Sequence, residues 1–327
     1  MTRSAMYSVV VGVLGVALAC TGVVAASAAV EIDSRLPSYE RVEGVSGTIK
    51  SMGSDTMLNV MTHWAEGYRR HYPSVTIEIE GKGSSSAPPA LIEGQSQFGP
   101  MSRAMKPSEE EAFEKAYGYK PTLLRPGIDC LAVFVHNDCP LDEITIEQLE
   151  MVFSTEGSEM KWGDLGVTDT RFRDKPISLY GRNSASGTYA FFKKVALGEH
   201  DYKSSVKEQP GSAGVVQAVA TDVYAMGYSG IGYRTANVKA LRVGGYGAPA
   251  VEPSAETAYS GEYPLARYLY VYVNHDPTRT IDPVREQFIR YMFSRDGQEG
   301  ILKDGYFPVS AEIAREDLES VGLEASF

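Results

Sequence analysis

The sequence predicts an α/β fold built as two domains, and three observations carry that reading. The chain has 327 residues, two domains' worth at the usual ~150 residues each. Beyond residue 46, short apolar strands alternate with amphipathic helices. Strand passes to helix through turns rich in glycine and serine, the signature of βα units in a largely parallel sheet.

Gly47 to Ser51 (GTIKS) reads as the first strand. From Asp55 onward Met57, Val60, Met61, Trp64, Ala65 and Tyr68 recur at helical spacing. Ser54 or Asp55 is the expected N-cap, Arg69-Arg70-His71 suit the negative C-terminal end, and Pro73 stops the helix. Val75, Ile77 and Ile79 alternate with Thr76, Glu78 and Glu80, a half-buried strand that runs into Gly81-Lys82-Gly83-Ser84-Ser85-Ser86. Pro88-Pro89 then open a second helix within its first turn. Leu131 to His136 (LAVFVH) is a further strand. In the second half, Ile177 to Tyr180 is a strand, Gly181 to Thr188 a polar turn and Tyr189 to Leu197 a helix. Tyr268 to Asn274 (YLYVYVN) is a strong strand, followed by a helix from Asp282 to Phe293.

The N-terminus stands outside this pattern. Arg3 precedes an apolar run from Tyr7 to Val24, and Ala26-Ser27-Ala28 follow, so residues 1–28 read as a secretory signal peptide. Two alternatives are a retained single membrane anchor, for which the run is long enough, and lipidation of Cys20, whose lipobox has its leucine one place late. Each places the rest of the chain in the periplasm or another extracytoplasmic space. There the remaining cysteines, Cys130 and Cys139, would favour pairing. An extended segment between them would hold them too far apart for a disulfide, so a bond requires the chain to turn back at Asn137-Asp138.

Acidic residues outnumber basic ones 42 to 31, a formal charge of −11. A nucleic-acid or anionic-membrane binder needs a basic face, so neither is expected as a partner. Three turns nevertheless point to an anion. Gly53-Ser54-Asp55-Thr56, Gly83-Ser84-Ser85-Ser86 and Ser184-Ala185-Ser186-Gly187-Thr188 each fall where a strand ends and a helix begins. Unpaired N–H groups and the positive end of the dipole gather there. Hydroxyls add adaptable donors and glycine lets a ligand approach the backbone. Arg182, in the same turn as the third segment, adds a forked cation. Asp55 is the odd member: either an N-cap, or an acceptor for a proton on the ligand, which would favour hydrogen phosphate over sulfate.

These segments resemble the periplasmic phosphate-binding proteins, the PstS-like substrate-binding components of phosphate ABC importers. The likeness spans residues 46 to 311 and rests on GSDTM (Gly53 to Met57), GKGSSSA (Gly81 to Ala87), FGPMSR (Phe98 to Arg103), GIDCLAVFVH (Gly127 to His136), GRNSASGTYAFF (Gly181 to Phe192) and YPLARYLYVYVN (Tyr263 to Asn274). FSRDGQEGILKDGYFPV (Phe293 to Val309) matches as well. The resemblance implies a class II periplasmic binding protein fold, two Rossmann-like lobes joined by two hinge crossovers that close on inorganic phosphate. Lobe I would comprise residues 46–127 and 265–327, lobe II residues 128–264, with the crossings near Pro126-Gly127 and Tyr263-Pro264. By position, Ser54, Asp55 and Thr56 fall in the first phosphate loop, Ser84 in the second, and Ser102 after the FG strand. Arg182, Ser186, Gly187 and Thr188 match the set in lobe II. Well-known members carry an aspartate where Ser102 stands, and that aspartate accepts the ligand's proton; here Asp55 is the candidate replacement.

The implied partners are phosphate and an importer's permease and ATPase, with the protein a monomer without cofactor or metal. The main rival class is an enzyme. The five histidines are scattered, no turn carries Gly-x-Ser-x-Gly, and no cluster has metal-ligand spacing. Two more readings keep the fold. One changes the ligand to sulfate, molybdate or an organophosphate; the second makes the chain an exported phosphate sensor or adhesin.

Overall fold

The computed structural model describes residues 30–325 and 327. The segment expected to be a signal peptide, residues 1–28, lies outside the described residues. The strands are β1 (Thr48–Gly53), β2 (Thr76–Gly81), β3 (Phe98–Met101), β4 (Thr122–His136), β5 (Glu143–Thr145) and β6 (Ser178–Arg182). They continue as β7 (Lys207–Gln209), β8 (Ala225–Gly230), β9 (Val238–Ala240), β10 (Arg242–Gly244), β11 (Ala250–Val251) and β12 (Ala266–Val273). The helices are α1 (Leu58–His71), α2 (Ala87–Ile92), α3 (Pro107–Tyr117), α4 (Ile146–Phe153) and α5 (Gly187–Ala196). After them come α6 (Gly211–Thr221), α7 (Ala255–Tyr259), α8 (Pro283–Met292), α9 (Arg295–Lys303) and α10 (Ala311–Ser320).

The main sheet runs β2-β1-β3-β12-β4-β8-β6-β7, with β9 also on β4; β11-β10-β5 form a small second sheet. The expectation of a largely parallel sheet needs correction. β2-β1-β3 and β8-β6-β7 are parallel sets, as the βα units require. Between them, β12 and β4 are antiparallel to each other and to their outer neighbours. These two are crossing strands: the first half of β4 pairs with β12 and its second half with β8. Having a neighbour on each side and helices over its faces, β4 is buried from Pro126 to Val135, which explains the unbroken apolar run from Cys130 to Val135. Pro126 has no N–H for the ladder, and the β4–β12 register shifts there, between Leu269 and Val271.

Four clusters of buried apolar residues fill the interior, two small ones and two large cores. One large core gathers Trp64, Tyr68, Phe98, Leu269, Phe288 and Ile301. The other gathers Leu131, Phe153, Trp162, Phe192, Tyr228 and Leu265. Both ends of the described chain thus share the first core, and the middle builds the second. Leu36 and Val45, ahead of the start expected at residue 46, are buried in the first core too.

α1 begins at Leu58 rather than Asp55, and its N-cap is Met57 with no side-chain cap. The Leu58 N–H bonds the Asp55 carbonyl at 3.2 Å, so residues 55–57 form a separate turn before the helix. Neither Ser54 nor Asp55 caps, because both side chains are engaged elsewhere. The rest of α1 follows its sequence pattern, with Val60, Met61, Trp64, Ala65 and Tyr68 buried. Cys130 and Cys139 are both buried free thiols.

Candidate functional site

In each parallel set the strands end at a common edge, and the candidate residues leave from those carboxyl ends. Ser54, Asp55 and Thr56 follow β1, Ser84 lies beyond β2, Ser102 follows β3, and Arg182 is the last residue of β6. Open α/β sheets place their ligand crevices at such edges. All nine predicted residues converge here, and all but Asp55 are buried.

Three sets of contacts build the site. The hydroxyls of Ser54, Ser102 and Ser84 form a chain, with Ser54 to Ser102 and Ser84 to Ser102 each 3.2 Å. The Ser102 N–H also donates to Ser84 Oγ at 3.0 Å. The Thr56 and Thr188 hydroxyls meet at 2.9 Å across the two cores. Arg182 Nη2 pairs with Asp55 Oδ2, while Arg182 Nη1 donates to Ser212 Oγ at 2.7 Å.

Local sequence explains how these groups arrive. Ser186 is the N-cap of α5, its Oγ accepting from the N–H groups of Thr188 at 3.1 Å and Tyr189 at 3.4 Å. Gly187 must be glycine, because a Cβ there would overlap the Ser84 and Ser102 hydroxyls. Gly83, at φ 99°, faces the Ala185 carbonyl, and the Ser85 N–H donates to that carbonyl at 3.2 Å. Of the serine run, only Ser84 is buried; Ser85 is exposed and Ser86 half-buried.

Further residues emerge that the sequence reading did not single out. Tyr306 donates to the Thr56 carbonyl at 3.0 Å, and Tyr233 lies 3.2 Å from the same oxygen and 3.3 Å from that of Asp55. Together they fix the backbone of the first loop. Behind Arg182, its N–H donates to the Tyr228 hydroxyl at 3.3 Å, Tyr228 donates to Tyr202, and Tyr202 donates to the Tyr189 carbonyl, the last two at 2.9 Å. Burial pushes the Tyr228 and Tyr202 phenols far up, so both remain neutral donors. Arg267, on β12, reaches Thr188 Oγ1 at 2.8 Å and the Ser102 carbonyl at 2.6 Å. Its inward place among alternating apolar residues was the available signal.

Two buried polar atoms in the pocket have no partner within the protein: Asp55 Oδ1, an acceptor, and Arg182 Nε, a donor. They belong to residues paired with each other through Arg182 Nη2 and Asp55 Oδ2, so one ion pair carries both an unfilled donor and an unfilled acceptor. No cluster among the described residues has the makeup of a metal site.

A two-lobed α/β scaffold with donors from both sheet edges converging on one buried polar cluster defines a solute-binding protein. Comparison with known proteins agrees. The PBP superfamily domain model matches residues 40–296. The phosphate-binding protein PstS of Pseudomonas aeruginosa is 49% identical over 309 residues, covering 92% of this chain and 95% of the relative. PstS of Staphylococcus haemolyticus is 27% identical over 278 residues, 84% of each chain. In fold, the chain is similar to an ABC-type phosphate transport receptor from Vibrio cholerae, with TM-score 0.65 and 22% identity over 80% of this chain and all of that one. It is also similar to a substrate-binding protein from Clostridium perfringens assigned to a phosphate ABC transporter and solved with bound phosphate, with TM-score 0.69 and 24% identity over 80% of this chain and 99% of that one. The chain belongs to the PBP superfamily and, within it, to the family of the PstS phosphate-binding proteins.

Proposed function

We propose that this protein binds inorganic phosphate between two lobes, residues 46–127 with 265–327 and residues 128–264, and delivers it to the permease and ATPase of an ABC importer. It acts outside the cytoplasm as a monomer and carries out no chemistry on its ligand. The observation that carries the ligand assignment is the pair of unpartnered buried atoms, Asp55 Oδ1 and Arg182 Nε. Hydrogen phosphate presents both lone pairs and a proton, so it can satisfy both atoms at once. Sulfate, fully ionised at neutral pH, has no proton for Asp55 and leaves two acceptors facing each other.

Each residue then has a role. Ser54, Thr56, Ser84, Ser102 and Thr188 supply hydroxyl donors, and the backbone at Gly187 brings the positive end of α5 against the ligand. Ser186 holds that helix turn in place. Arg182 supplies the forked cation, steadied by Ser212 and by the Tyr228–Tyr202 pair behind it. Asp55 reads the proton, the role left open by Ser102. Calorimetric titration at neutral pH with phosphate, and separately with sulfate, tests this reading. Tight phosphate binding with a silent sulfate titration is expected; equal responses would remove the proton-reading role, and no phosphate response would remove the function.

A further inference from the structure

The two crossing strands carry a charge pair at their junction. Arg267 of β12 and Asp129 of β4 stand opposite each other in register. Asp129 is fully buried and the Arg267 side chain is 2% exposed. Arg267 Nε and Nη2 both donate to Asp129 Oδ2, at 3.1 and 2.8 Å. The other Asp129 oxygen lies 3.3 Å from the Ile231 N–H, which donates to it. The Phe191 ring lies 5.0 Å from the guanidinium carbon.

What the rest of the fork does sets this pair apart from an ordinary buried ion pair. Nη1 donates to the Ser102 carbonyl at 2.6 Å, on the loop after β3, beside the first core. Nη2 also donates to Thr188 Oγ1 at 2.8 Å, on the first turn of α5, beside the second. One planar cation therefore joins both halves of the pocket and the strand that passes between them. Rotation about β4 and β12 would carry Ser102 and Thr188 apart while leaving Arg267 and Asp129 at the pivot. The fork can satisfy all its acceptors only when the halves are together.

We propose that Arg267, with Asp129 as its fixed counter-ion, is a positioning residue that couples phosphate capture to closure of the two lobes. This rests on the site and function proposed above. A ligand held by the Ser102 loop and the α5 turn favours the arrangement that completes the Arg267 fork, and the fork in turn favours the arrangement that holds the ligand. Lysine would keep the charge beside Asp129 but, with a single ammonium and no planar fork, could not span the same three acceptors.

The test compares the wild type with Arg267→Lys by phosphate calorimetry, by small-angle scattering with and without saturating phosphate, and by thermal melting. Arg267→Lys should bind phosphate about 5- to 150-fold more weakly, the usual span of a coupling interaction. Its phosphate-induced compaction should shrink, while its melting temperature without phosphate stays near that of the wild type. The double variant Asp129→Asn/Arg267→Gln, which removes both charges together, should show the same loss of affinity and compaction. Wild-type affinity with full compaction in either variant overturns the inference, as does a wild type that does not compact with phosphate. Arg182→Ala, run alongside, separates the two readings. If it loses phosphate while Arg267→Lys behaves as wild type, only the coupling falls; if it too binds normally, the site itself has been misplaced.

Discussion

Asp55→Asn probes how the pocket tells one oxyanion from another. The substitution keeps shape and volume and replaces a charged carboxylate, whose Oδ1 is buried without a protein partner, by a neutral amide. A hydrogen bond to a charged group contributes about 1.5–3 kcal/mol. Its loss therefore weakens phosphate about 10- to 150-fold. The same change has a second consequence, because Asp55 also pairs with Arg182. Freeing that arginine strengthens the pull on every anion alike. Sulfate, with no proton to lose, gains from the freed arginine and from an amide N–H that can face its lone pair. The phosphate-to-sulfate affinity ratio should collapse, with sulfate binding appearing where none existed. Parallel isotherms for both anions at neutral pH measure it. If both anions tighten by the same factor, Asp55 is only the counter-ion of Arg182. If neither isotherm moves, the proton-reading argument is wrong.

Three more outcomes are expected. Gly187→Ala places a methyl group against the Ser84 and Ser102 hydroxyls; phosphate affinity should fall at least about tenfold, the loss of one good hydrogen bond, and an unchanged isotherm would show that these loops do not close on the ligand. Asp304, mostly buried, has its carboxyl pushed up to about 7 by desolvation, so between pH ~4 and ~7 the folded protein holds a proton that the unfolded chain releases. Its contribution to stability is present at low pH and lost as pH rises through that window, by up to about 4 kcal/mol and nearer 2 once solvent screening is counted; Asp304→Asn should flatten that part of the pH dependence of the urea midpoint. Burial drives the Cys139 thiol up to about 11 and the Cys130 thiol higher still, so neither should react with a thiol reagent in the folded protein at neutral pH, whereas both should after denaturation without reductant. Two unreactive cysteines in the denatured protein would mean a disulfide.

How much of this was legible in the sequence depends on the range of the interaction. β1, β2, β6, β12 and α8 follow from local periodicity, and the glycine-serine turns located every proposed hydroxyl donor except Ser102, which the family resemblance supplied, because donors at strand ends are a local signature. The start of α1 misled for the opposite reason. Asp55 has the spacing of a cap, but its carboxylate turns to Arg182, 127 residues away in sequence, and no local pattern reports that competitor. Strand direction was equally hidden, since an alternating stretch reads the same whether its neighbours run parallel or not; only the crossing roles of β4 and β12 make the centre antiparallel. Arg267 is the instructive omission. It falls on the inward side of β12 with Leu269 and Val271, and Asp129 likewise lies within an apolar run. A charge at an inward position must find a partner, so two such positions on two strands expected to cross already pointed at each other.

The same two pairs resolve the conflict between an acidic chain and an anionic ligand. Arg182 with Asp55 and Arg267 with Asp129 leave the four charged groups of the pocket at formal zero. The charge of −11 on the whole chain offers no long-range attraction either, and salt screens it beyond ~8–10 Å. Affinity must then come from groups at contact distance, the hydroxyls and the N–H groups at the start of α5. A pocket with a surplus of positive charge would reward any dianion for its charge alone. A neutral pocket rewards only the ligand whose donors and acceptors match those lining it, and an unmatched group costs about 1–3 kcal/mol that no excess charge offsets. In the proposed site, pairing each arginine with a carboxylate would give up general anion affinity, and a preference for a protonated tetrahedral anion is the selectivity expected from what remains.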